Sequence, residues 1–230
     1  DKLKEELSKQ DLGGIYITNL TNVRYLTGFT GSAGAVLILP ETQHFFSDTR
    51  YDVQSKEQVT NCNVHMIASG YEQTIKDLNL ISSGIKLGFE SQHVSVSSFD
   101  RIKSLLSSAT WEKTEQMVEI IAAVKDETEI NSLKSAIEVT DQVFDQIIPE
   151  LKIGAIERDI AAKISFLFKK NGAEGDSYDP IIASGWLGAL PHARPSDKMF
   201  ENGDFVVMDF GALYEGYHAD MTRTVVIGEA

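Results

Sequence analysis

The chain has 230 residues, enough for one large domain or two smaller ones with cores of their own. Its 42% hydrophobic and 24% charged content is ordinary for a globular protein. A formal net charge of −13 argues against a nucleic-acid or anionic-membrane partner, either of which favours a basic surface. The single cysteine, Cys62, excludes an intramolecular disulfide and a thiolate metal cluster, and fits a reducing compartment such as the cytoplasm.

The N-terminal Asp1-Lys2-Leu3-Lys4-Glu5-Glu6 reads as a charged helix start without the apolar core of a signal peptide. No apolar run is long enough to span a bilayer, so no membrane partner is expected. From Gly14 to Trp111 short apolar runs alternate with helical patterns. Gly14–Ile17, Ala35–Leu39, Phe45-Phe46, Val64–Ile67, Ile85–Phe89 and Thr110-Trp111 read as strands, and Arg50–Val59, Tyr71–Leu80 and Ser95–Leu106 as helices. This alternation predicts an α/β domain with a mixed sheet.

Near Val124 the pattern changes. Asp126 with Glu129 three positions on is a capping signal. Ile130, Leu133, Ile137, Phe144, Ile147 and Leu151, with Ala136 and Thr140 filling the gap, then predict one long amphipathic helix. Ile156, Ile160, Ile164 and Leu167 predict a second, ending before Asn171-Gly172. Ser177–Ala183, a loop rich in Gly and Pro to Gly203, and two final strands follow. A boundary between residues 120 and 126 gives two domains, 1–123 and 124–230.

The final strands, Phe205–Ala212 and Tyr217–Thr224, read as a hairpin carrying one aspartate on each arm, Asp209 and Asp220. An ionised carboxylate buried without a partner costs several kcal/mol, so a cation or hydrogen-bond donors must be near. In an antiparallel hairpin the numbers of paired residues have a constant sum, and a turn at Glu215-Gly216 sets that sum at 431. Asp209 then faces Thr222 and Asp220 faces Gly211. The two aspartates become diagonal neighbours about 7–8 Å apart at Cα, within reach of a shared ion, and Gly211 leaves room for a cluster. Two readings are open: either aspartate pairs with Arg223 or caps a turn, or the pair holds a metal. Hard carboxylates favour Mn²⁺ or Mg²⁺, and Zn²⁺ or Co²⁺ if a histidine joins. His192, bracketed by Pro191 and Pro195, sits in a stiffened loop that presents an imidazole at low entropic cost, although a loop histidine is commonly just a surface residue. His218, two positions before Asp220, falls on the same strand face as a neighbour or a substrate contact.

Ala189-Leu190-Pro191-His192, Gly203-Asp204, Asp209-Phe210-Gly211-Ala212 and Asp220-Met221-Thr222-Arg223-Thr224 resemble the metal-binding half of the creatinase/prolidase/methionine aminopeptidase superfamily. Within it the chain is similar to Xaa-Pro aminopeptidases and their dipeptidase relatives. Asn22–Gly31 and Ser47-Asp48-Thr49-Arg50-Tyr51 resemble its creatinase-type N-terminal domain. The resemblance implies an α/β creatinase-type domain over residues 1–123 and an incomplete α+β pita-bread domain over residues 124–230. It also implies a homodimer. Asp209 and Asp220 would be the first two of five ligands to two divalent ions, Mn²⁺ or else Co²⁺ or Zn²⁺. His192 would contact the substrate and stabilise the tetrahedral intermediate, Tyr178 would stand behind the ligands, and Thr222 would orient them. The implied reaction is metal-assisted hydrolysis of the bond before proline in peptides with proline second.

The family completes its site with a His and two Glu well downstream, and the sequence ends at Ala230, ten positions after Asp220. The resemblance therefore implies a chain truncated before its last ligands and inactive alone, from a metallo-aminopeptidase parent. The rival readings are an Xaa-Pro dipeptidase (prolidase) or amidinohydrolase on the same scaffold and, from another class, a non-catalytic peptide- or protein-binding module.

Overall fold

The computed structural model describes residues 2–229. The chain divides into two compact units, Asp1–Val124 and Lys125–Ala230. No helix among the described residues is long and apolar enough to cross a membrane.

In the first unit six strands form one mixed sheet in the order β4-β3-β2-β1-β5-β6: β1 (Gly14–Ile17), β2 (Ala35–Ile38), β3 (Gln43–Asp48), β4 (Asn63–Ile67), β5 (Lys86–Glu90) and β6 (Thr110–Thr114). β2 is antiparallel to β1 and β3, while β1–β5, β5–β6 and β3–β4 are parallel. Both faces are covered, which is why the central strands are nearly continuous apolar runs rather than alternating ones. Ile15 and Ile17 point into a core shared with Leu3 and Leu7 of α1 (Lys2–Lys9), Val23 of α2 (Leu20–Thr27) and Met117 and Val118 of α6 (Met117–Ala123). Tyr16 and Leu37 point to the opposite core, with Ile75 of α4 (Tyr71–Asp77) and Ile102 of α5 (Val96–Leu105). The helix expected over Arg50–Val59 is a 3-10 turn, Thr49–Tyr51, followed by α3 (Asp52–Gln58). Helices α2 and α6 are additions to the expected elements. The signals for α2 are present in the sequence: Asn19 caps it by accepting from the Thr21 amide, and Gly28 ends it in the left-handed conformation.

The second unit opens on α7 (Glu127–Ile147), whose start is the expected capping box: the Asp126 carboxylate accepts from the Glu129 amide, and Glu129 accepts from the Asp126 amide. Pro149 lies in a 3-10 turn, Ile148–Glu150, that ends it. The buried stripe coincides with the expected one at Ala136, Thr140 and Ile147 and departs from it elsewhere. Ala136, Val139, Thr140, Val143 and Ile147 are buried, whereas Ile130 and Ile137 are 41% and 50% exposed. Two apolar stripes lie side by side on this helix, and periodicity alone does not say which one meets the core. The chosen stripe packs with Ile160, Ile164 and Phe168 of α8 (Glu157–Lys170) against Ile182, Val206, Met208 and Phe210.

The expected pair of final strands is four: β9 (Phe205–Phe210), β10 (Ala212–Tyr214), β11 (Tyr217–His218) and β12 (Met221–Val226). The turn between β10 and β11 has Glu215 at φ 49° and Gly216 at φ 83°, the two positive values of a type I′ hairpin. Its register is the anticipated one, with Tyr214 opposite Tyr217, Leu213 opposite His218, Phe210 opposite Met221 and Asp209 opposite Thr222. The ladder is interrupted at Gly211. On one side of the break β9 and β12 form a sheet with β8 (Ile181–Ser184), and on the other β10 and β11 form one with β7 (Gly175–Asp176). Gly211 does not leave space for a cluster. The chain crosses so closely here that a Cβ on Gly211 would lie 1.8 Å from the Ala219 carbonyl oxygen.

Three backbone groups of Gly211 and Ala212 at the break are paired. The Ala212 amide donates to Thr140 Oγ1 (3.0 Å), the Ala212 carbonyl accepts from the Ala219 amide and Ser177 Oγ (2.9 Å each), and the Gly211 carbonyl accepts from the Ser177 amide (2.8 Å). Substituting Gly211→Ala forces a backbone displacement at this crossing. A loss of about 3 kcal/mol in urea unfolding of the second unit is expected; a change below about 1 kcal/mol would contradict the close approach.

Candidate metal centre

The break decides where the aspartates go. Asp209 is the fifth residue of β9 and half-buried, facing Thr222. Asp220 lies one residue before β12, outside the ladder, and is exposed. The cost of a buried carboxylate therefore applies to Asp209 in part and to Asp220 hardly at all, because the strand that was to bury Asp220 stops at the crossing.

What unites them is Tyr178. It lies in the segment that carries the chain from β7 in one sheet to β8 in the other, so it passes across the break. Its hydroxyl lies 2.5 Å from Asp209 Oδ1 and 2.9 Å from Asp220 Oδ1. A phenol has one proton to donate, so two carboxylates share one donor. The phenol is held well above its ordinary range, chiefly by partial burial, then by its hydrogen bonds to Asp209 and Asp220 and by their charges, all of which disfavour phenolate.

Arg223, the cation that could have neutralised the pair, donates instead to the Thr222 carbonyl (2.9 Å). Among the described residues no Lys, Arg or His forms an ion pair with either aspartate. The site is thus two carboxylates held together by one neutral hydroxyl, and this oxygen-only donor set fits a hard divalent cation. No group of three or more His, Cys, Asp and Glu side chains suited to a metal gathers among the described residues.

The other expected residues are placed as follows. Thr222 is exposed directly across from Asp209. His218 is exposed on β11, opposite Leu213. His192 is exposed in the loop after a 3-10 segment, Gly185–Ala189. With Arg158, Asp179, Ile181 and Arg194 it lines a cleft of about 470 Å³. Neither aspartate lines this cleft, but one of its lining residues, Ile181, is the register partner of Asp209. No hydrogen bond joins His192 to either aspartate.

Comparison with known proteins decides the family. Residues 1–124 match the creatinase/prolidase N-terminal domain, and residues 131–230 match metallopeptidase family M24. The chain belongs to the creatinase/prolidase family, with a segment of family M24 as its second unit. It is 37% identical over 230 residues to an uncharacterized peptidase of Bacillus subtilis, covering all of this chain and 65% of that one. An Xaa-Pro dipeptidase from Bacillus anthracis superposes with a TM-score of 0.91 at 35% identity, over 99% of this chain and 64% of that one. An X-Pro aminopeptidase from Thermotoga maritima gives 0.85 at 36%, over 96% and 65%. The chain thus spans about 65% of the length of the relatives it matches. Its two units have the architecture of that family, an α/β creatinase-type unit with a mixed sheet and an α+β unit from the pita-bread fold of the M24 peptidases.

The raised Tyr178 pKa has a consequence in alkali. Above pH of about 10 the unfolded chain releases this proton while the folded chain keeps it, so the contribution of Tyr178 to stability falls as pH rises. Urea unfolding of the wild type and Tyr178→Phe between pH 9 and 11 should show the stability advantage of the wild type shrinking as pH rises. A constant difference would mean that the phenol titrates normally.

Proposed function

We propose that the whole protein is a metal-dependent peptidase that hydrolyses the bond before proline at the N-terminus of peptides, an Xaa-Pro aminopeptidase. The observation that carries this reading is the shared Tyr178 hydroxyl, which gathers Asp209 and Asp220 into one anionic site. Residues 1–123 would be the creatinase-type domain and residues 124–230 the first half of the metallopeptidase domain. Asp209 and Asp220 would supply carboxylates to a centre of two divalent ions, Mn²⁺ by preference and Co²⁺ or Zn²⁺ as alternatives. When bound, such ions supply Lewis-acid activation of water and of the scissile carbonyl.

The chain's own residues would do the rest. Tyr178, kept neutral by its surroundings, would hold the two carboxylates together, and Thr222, across the ladder from Asp209, would help orient it. His192, on a loop stiffened at Pro191 and Pro195, would donate a hydrogen bond to the charge that develops on the substrate carbonyl. His218, exposed near Asp220, would line the approach of the substrate. A bond before proline is a tertiary amide with no N–H and a fixed φ, which strand-binding proteases fit poorly. This separates a dedicated site from a general one. Two carboxylates alone do not complete a two-metal centre, so the 230-residue chain by itself is expected to be inactive. The free thiol of Cys62 supports a reducing compartment, the cytoplasm. A homodimer is the assembly that the family resemblance implies.

The structural likeness to an Xaa-Pro dipeptidase at a TM-score of 0.91 favours a second reading, in which only dipeptides are cleaved. Assay of the full-length protein with Mn²⁺ on Xaa-Pro and Xaa-Pro-Yaa peptides separates the two. Release of Xaa from the tripeptide supports the aminopeptidase, whereas cleavage of the dipeptide alone rejects it in favour of the dipeptidase. Cleavage of neither, with no metal bound in calorimetry, rejects both. Asp209→Asn in the full-length protein should abolish loading of the two ions, measured as metal content; normal content would remove Asp209 from the ligand set.

A further inference from the structure

Glu157 begins α8 and is fully buried, with no cationic partner. Its two oxygens each accept two hydrogen bonds from one serine. Oε1 accepts from the Ser184 amide (2.7 Å) and hydroxyl (2.8 Å), and Oε2 from the Ser196 amide (3.0 Å) and hydroxyl (2.6 Å). These serines flank residues 185–195, the segment that carries His192. Of that segment Ala193 alone is buried, so the loop has almost no core anchor of its own and its position depends on its ends.

The second end is held further by the helix start, where the Arg158 amide donates to the Ser196 carbonyl and the Glu157 amide to the Lys198 carbonyl (3.1 Å each). The pair Lys198–Asp204 (2.5 Å) closes the far side, with Asp204 packed against Gly185. No side chain caps α8. An anion in its first turn is favoured by the helix dipole, and four donors satisfy it fully.

We propose that Glu157 is the positioning residue of the His192 loop, fixing both ends of it through Ser184 and Ser196. The inference rests on the role given to His192 above. Only a carboxylate accepts at both ends; an amide would set an NH₂ group against one of the two backbone N–H donors.

The test uses the full-length protein and Glu157→Gln, read by amide hydrogen exchange over residues 185–195 and by kinetics on whichever Xaa-Pro peptide is cleaved. Exchange in this segment should rise at least about tenfold, and kcat should fall about tenfold with KM little changed, as misplacement of a group acting on the transition state requires. Exchange elsewhere in the second unit should stay near wild type. Unchanged exchange over residues 185–195, or a uniform rise across the whole unit, overturns the proposal. If Glu157→Gln fails to fold, the double variant Ser184→Ala with Ser196→Ala, which keeps the backbone bonds to Glu157, takes its place. A rise confined to residues 185–195 then supports the proposal, and unchanged or uniformly raised exchange overturns it. Because exchange is measured without turnover, loss of the peptidase reading leaves this test intact. An active wild type with unchanged exchange in the variant rejects the positioning role alone.

Discussion

The close crossing of the chain at Gly211 and Ala219 is the constraint on which the second unit depends. No side chain fits between these two backbones, so the hairpin bends there and its two halves join different sheets. Backbone groups of Gly211 and Ala212 at the break are taken up by specific neighbours, Thr140 from α7 and Ser177 from the segment between the sheets. A buried orphan at this point would cost about 1–3 kcal/mol, so these partners are part of what makes the bend tolerable.

The functional consequence follows from the same bend. An unbroken hairpin would leave Asp209 and Asp220 as diagonal neighbours on one strand face. The bend instead frees Asp220 from the ladder while leaving Asp209 in it, and the segment from β7 to β8 brings the Tyr178 hydroxyl between them. Two like charges are thereby held together with a neutral donor between them and without a protein cation. The His192 loop arrives by an independent route, clamped at its ends by Glu157 rather than packed into the core.

Local features are legible in the amino-acid sequence to the extent that their causes are local. Gly14–Ile17 is a strand because Ile15 and Ile17 face one core and Tyr16 the other, and the capping box at Asp126 is written in two side chains three positions apart. The hairpin register follows from the parity of one turn, and Glu215-Gly216 supplies it. The motif around Asp209, Asp220 and His192 points to the family without any geometry. What is hidden depends on contacts distant in the chain. Choosing Val139 and Val143 over Ile137 as the buried stripe of α7 requires knowing where β10 and α8 lie. Tyr178 reaches its carboxylates across 31 and 42 positions. Glu157 looks like any acid in a first helical turn until Ser184 and Ser196, 27 and 39 positions away, converge on it.

The central claim is that Asp209 and Asp220, joined by Tyr178, form one cation cradle. Anomalous diffraction from crystals of the full-length protein grown with Mn²⁺ addresses it most directly. The account predicts an anomalous peak contacting carboxylate oxygens of both Asp209 and Asp220. Anomalous peaks confined to other parts of the molecule, with the Asp209–Tyr178–Asp220 bridge unchanged, would contradict it.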